Sequence, residues 1–69
     1  MTIQNIMFKK KYFTLKEANE YIKKHGYKPI KKVHETDKMY RYRLASPKLF
    51  NKFRTLKIKK GILITIGFT

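Results

Sequence analysis

The chain has 69 residues, with 18 Lys or Arg against four Asp or Glu, and a formal net charge of +14 at pH 7. A content of 42% hydrophobic and 14% aromatic residues is too high for a disordered basic tail, and the lack of cysteine excludes disulfide staples and thiolate metal sites. No stretch reaches the roughly 18 apolar residues of a membrane-spanning helix, and no secretory signal pattern is present, so residues 1–69 are expected to form one basic domain, soluble and made without export.

Residues 2–8 carry enough branched and apolar side chains for a first strand, although their alternation is imperfect. Lys9, Lys10 and Lys11 follow as a charged connection. Thr14-Leu15-Lys16-Glu17 has capping-box spacing, in which Thr and Glu satisfy each other's free backbone N–H groups. Leu15, Ala18 and Ile22 recur at helical spacing. Lys23, Lys24 and His25 place cations against the negative helix end, and Gly26 supplies a left-handed stop. The main helix is therefore expected over about 14–25.

Residues 30–35 read as a short strand after Pro29, with a turn near Asp37. Residues 39–44 alternate most clearly: Tyr40, Tyr42 and Leu44 point one way, Met39, Arg41 and Arg43 the other. The tyrosines are the better core candidates, which leaves the arginines for solvent. Ser46-Pro47 resembles a helix N-cap and first turn, so a short helix is expected over about 47–53 with Leu49, Phe50 and Phe53 as its apolar stripe. Strands at 55–58 and 62–68, joined through Lys59-Lys60-Gly61, complete the order β-α-β-β-α-β-β. The expected class is α+β, a small mainly antiparallel sheet with its helices on one face. The opposite face should then present Arg41, Arg43, Lys57 and Lys59. Strand 62–68, if it lies at an edge, is open to pairing with a second copy.

The order and spacing of several segments resemble a small basic domain found in uncharacterised proteins of tailed phages and large DNA viruses. These segments are Phe13-Thr14-Leu15-Lys16-Glu17-Ala18, Tyr21-Ile22-Lys23-Lys24-His25-Gly26-Tyr27-Lys28, Glu35-Thr36, Tyr40-Arg41-Tyr42-Arg43, Phe53-Arg54-Thr55 and Lys60-Gly61-Ile62 through Ile66-Gly67-Phe68. They cover most of the chain from Phe8 onward. His34 and Leu44 depart from the pattern, which carries an acid and a glutamine there. The resemblance implies a viral or prophage origin, a compact α+β fold and no particular reaction. A location in the virion or the host-cell interior goes with it.

Charge distribution points to the partner. All four acids lie at or before Asp37, whereas Lys38, Arg41, Arg43, Lys48, Lys52, Arg54, Lys57, Lys59 and Lys60 follow with no acid among them. Such a one-signed field is usually matched by a polyanion. The expected function is nucleic-acid binding, DNA ahead of RNA, through the phosphate backbone with little sequence preference. The expected contacts are Arg41, Arg43, Arg54, Lys57, Lys59, Lys60 and the Lys9, Lys10, Lys11 run. The alternative is a structural virion component, such as a minor capsid, cement or core protein, that bridges acidic protein surfaces or packaged genome. An adaptor for an acidic host protein is a third reading. No catalytic, metal-binding or cofactor role is expected: His34, Glu35 and Asp37 read as a solvated hairpin end, His25 as a helix-terminal cation, and no glycine-rich phosphate loop is present.

Overall fold

The computed structural model describes residues 2–69, among which lie five strands, one α-helix and one 3-10 turn. In chain order these are β1 (Thr2–Lys9), α1 (Leu15–Lys24), β2 (His34–Glu35), β3 (Met39–Arg43), the 3-10 turn Pro47–Leu49, β4 (Lys52–Lys59) and β5 (Ile62–Phe68). The order within the sheet is β2-β3-β1-β5-β4, and every neighbouring pair is antiparallel. The chain is thus α+β, with one antiparallel sheet and one main helix. No helix among the described residues is long and apolar enough to cross a membrane.

α1 starts where the capping box is satisfied from both sides. Thr14 Oγ1 accepts from the Glu17 N–H at 3.2 Å, and Glu17 Oε1 accepts from the Thr14 N–H at 3.0 Å. A good N-cap contributes about 1 kcal/mol. Gly26, at φ +71°, turns the chain away after the His25 cap. The helix lays Ala18 and Ile22 on Ile6 and Phe8 of β1, Tyr42 of β3, and Ile62, Ile64 and Ile66 of β5. Phe8 is fully buried and meets Phe13, Tyr21 and Tyr42 edge to face, with ring centroids 5.4, 5.5 and 5.5 Å away. Tyr42 donates its hydroxyl proton to Asn19 Oδ1. Burial, with Tyr40 beside it as a lesser cause, raises the Tyr42 phenol above the ordinary tyrosine value. Tyr40 and Tyr42 therefore face the helix, as their alternation requires.

β1 alternates imperfectly because it is bulged. Its register against β5 shifts between Ile3 and Asn5, and the extra residue lets Ile3, Ile6 and Phe8 all serve the helix-side core. Gln4 is held at the bulge. Its carbonyl accepts from the Leu44 and Ala45 N–H groups, and its Nε2 donates to the Ala45 carbonyl at 3.1 Å.

Three expectations need correction. The helix over 47–53 does not form: Ser46 caps and Pro47 opens it, but only one 3-10 turn follows, and Phe50 is already extended at φ −127°, ψ 148°. Asn51 donates to the Phe68 carbonyl, and residues 52–59 zip onto β5. A two-turn helix is marginal alone, whereas the paired strand satisfies a full ladder. Consequently Phe53 is 49% exposed, not core, and the Phe50 ring occupies the space that a Gly67 side chain would take. Strand 62–68 is not an edge either, since β1 and β4 flank it. The long free edge is β4. The expected strand at 30–35 shrinks to the two residues of β2, because residues 30–33 run beside β3 without a ladder, tied by the Ile30 N–H to the Arg43 carbonyl at 2.9 Å.

Candidate nucleic-acid interface

Directly paired residues in an antiparallel sheet project from the same face, so the register assigns each side chain to a side. Away from α1, one row runs His34, Arg41, Met7, Leu63, Lys57, and the next runs Arg43, Asn5, Thr65, Thr55. Neither row contains an acid. Arg41, Arg43 and Lys57 therefore share the open face, as the alternation implied. Arg41 and Lys57 are three strand spacings apart, roughly 14 Å. Met7 and Leu63, buried and half-buried, lie between them. The face carries two cationic margins around a less polar centre.

Arg54 and Lys59 belong elsewhere. Arg54 pairs with Ile66, whose side chain enters the core beneath α1, so Arg54 projects from the helix side of the free edge. A register shift between Lys57 and Lys59 puts Lys59 opposite Ile62, also a core residue. The bulge turns Lys59 away from Lys57, and the expected grouping of Lys59 with the arginines fails.

Lys9, Lys10, Lys11 and Lys60 gather at one end of the sheet. Lys11 and Lys60 each lie over the Tyr12 ring, 5.8 and 5.0 Å from its centroid. Lys10 is 2.6 Å from Glu35 and also covers Tyr40. A concavity of about 530 Å³ brings Lys9, Lys10, Lys11 and Lys38 together with Asp37 and Met39. Glu35 and Asp37 offset part of this charge, whereas no acid lies in the two rows of the open face.

Four residues join the open face that sequence reasoning did not place there. Lys31, Lys32, His34 and Asn5 line a cavity of about 270 Å³ with Arg41 and Arg43, and no acid lines it. Lys31-Lys32 is visible as a basic pair, and the Ile30–Arg43 hydrogen bond together with the His34–Arg41 pairing holds this segment beside β3. Phe53 was assigned to the core, yet it pairs with Gly67 on this same face and meets Phe50 edge to face at 6.0 Å. The open face thus presents convergent guanidinium and ammonium groups with one exposed aromatic ring at its margin. Such a surface can hold phosphate by charge-assisted hydrogen bonds. Compared with known proteins, the chain matches no family model, no curated protein and no solved structure.

Proposed function

We propose that the chain is a small nucleic-acid-binding protein that acts mainly through the phosphate backbone with little base specificity. The observation that supports this reading most is the open face: Arg41, Arg43 and Lys57 project from one side of the sheet, Lys31 and Lys32 line a cavity with the two arginines, and neither row of that face contains an acid. Tyr40 and Tyr42 are turned to the helix and cannot stack on bases, which favours charge over base reading. With about 4–8 phosphates neutralised, log K for duplex DNA should fall against log salt with a slope of roughly −4 to −7, measured by fluorescence anisotropy. An affinity indifferent to salt, or none at low salt, rejects the reading.

Phe53 adds a test of strandedness. An exposed ring beside cations stacks an unpaired base for about 1–3 kcal/mol, and a paired base is inaccessible to it. Phe53→Ala should weaken single-stranded DNA about tenfold while changing duplex affinity little, a comparison that the same anisotropy assay provides.

One observation favours a second, overlapping reading as a virion component. β4 is an exposed edge of 8 residues, with Leu56 and Ile58 at 39% and 45% exposure and its outer backbone groups unpaired by the sheet. Such an edge suits assembly against another chain. A viral origin, proposed on the motifs quoted above, places such assembly on packaged genome. Purified virions that lack the protein would count against it.

A further inference from the structure

Every residue of β4 is exposed, although the strand is 8 residues long and lies along β5. Within the sheet it pairs with β5 alone, so the N–H and C=O groups of alternate residues point outward along the free edge. Its register is regular from Lys52 to Lys57 and breaks before Lys59. Over the regular stretch Lys52, Arg54 and Leu56 oppose Phe68, Ile66 and Ile64 and project to the helix side. Phe53, Thr55 and Lys57 oppose Gly67, Thr65 and Leu63 and project from the open face. Both sides of the edge thus carry cations, with Phe53 and Leu56 exposed between them.

These features select among partners. Like charges directly opposite each other destabilise a strand pair, and opposite charges stabilise it. A second copy brings Lys52, Arg54, Lys57 and Lys59 again, with no acid in β4 to answer them and a net charge of +14 behind them. Self-pairing is thereby disfavoured, the usual effect of lysine on an edge strand. A nucleic-acid strand answers the cations but has no row of N–H and C=O groups at strand spacing, and it leaves Leu56 and Ile58 uncovered. An acidic, extended protein segment meets every demand. Its backbone completes the ladder, its carboxylates face the cations, and its apolar residues cover Phe53 and Leu56.

We propose that β4 takes up an acidic, extended segment of a partner protein as an added strand of the sheet. The inference rests on the reading of β4 as an assembly edge and adds the chemistry of what docks there. In antiparallel pairing the segment carries acids opposite Lys57, Arg54 and Lys52 and apolar residues opposite Leu56 and Phe53. The order Glu-Val-Thr-Glu-Val-Glu therefore matches β4 read from Lys57 back to Lys52.

The test titrates the whole chain with that peptide, acetylated and amidated, and with its Lys-Val-Thr-Lys-Val-Lys counterpart, following backbone amides by NMR. The acidic peptide should shift the β4 amides and slow hydrogen exchange at those that face outward. It should bind about tenfold or more tighter than the lysine peptide, as opposite-charge pairs in place of like-charge pairs imply. Two further acidic peptides carry N-methyl groups on alternate residues, one set along each edge. Their charge is the same, so strand addition loses the peptide methylated towards β4 and keeps the other. Lys52→Glu with Arg54→Glu should reverse the preference in favour of the lysine peptide. The unmodified chain already decides between the peptides, whatever the fold of that variant. Equal binding of the two methylated peptides, or shifts that bypass β4, overturns the inference. So does a single-stranded DNA that protects the same amides, or a dimer of the free chain that protects them without peptide. A neutral Gln-Val-Thr-Gln-Val-Gln peptide separates the two readings. If it binds as well as the acidic one, the edge assembles without charge selection and only the partner chemistry is wrong. If no peptide adds to β4, the assembly reading falls as well.

Discussion

Phe8→Ala is expected to leave the chain unfolded in dilute buffer. Phe8 is fully buried, lies on the central strand, and is the ring against which Phe13, Tyr21 and Tyr42 pack. Truncating a buried phenylalanine costs about 3–5 kcal/mol, because the cavity it leaves closes only in part. A core drawn from 69 residues with no cysteine to staple it rarely supplies more than about 3–5 kcal/mol in total. One substitution therefore removes nearly all of the margin. Far-UV circular dichroism and amide dispersion should both report loss of the native state, whereas Phe8→Leu, with a smaller cavity, should unfold cooperatively at a lower midpoint. A polyanion that binds only the folded form contributes about 2.7 kcal/mol at a hundredfold excess over its dissociation constant. Added DNA should accordingly restore part of the Phe8→Ala signal. A Phe8→Ala variant with an unchanged thermal midpoint would show that the edge-to-face cluster does not organise the core.

What could be read from the sequence was what is decided locally. The Thr14 and Glu17 pair specifies its own geometry within one turn, and the helix begins where that pair requires. Tyr40 and Tyr42 alternate with Arg41 and Arg43 over a strand with a regular register, so the two sets separate onto opposite faces. The misreadings share a different cause. Ser46-Pro47 is a genuine start signal, but the backbone beyond Phe50 is claimed by β5, a partner that lies later in the chain and that no local pattern announces.

Sidedness failed at Lys59 for the same reason. A one-residue shift in register reverses the face of every residue beyond it, and a bulge is set by pairing, not by composition. The bulge at Gln4 and Asn5 was visible only as a blemish in the alternation of residues 2–8. Its consequence, a buried amide beneath the arginines, required the pairing of β1 with β3. Lys31 and Lys32 come to the arginines between the Ile30–Arg43 hydrogen bond and the His34–Arg41 pairing, outside any ladder of their own.

Arg41→Ala combined with Arg43→Ala should produce the largest loss of nucleic-acid binding. Both arginines sit on β3, on the open face, and line the cavity with Lys31 and Lys32. Each phosphate contact removed should flatten the slope of log K against log salt by about one, so the double variant should lose about two units of slope. Affinity at low salt should fall about 10–100-fold, and equally on unrelated sequences, because phosphate contacts position the protein without reading bases. Loss confined to one sequence would instead indicate base recognition. The control removes as many charges from the other side: Arg54 and Lys59 pair with Ile66 and Ile62 and project towards α1. Arg54→Ala with Lys59→Ala changes the net charge by the same amount but leaves the open face intact. If the two double variants lose equal affinity, binding follows total charge alone and the sheet has no preferred side. A loss concentrated in the Arg41 and Arg43 pair means that the fold converts a uniformly basic composition into a directional surface.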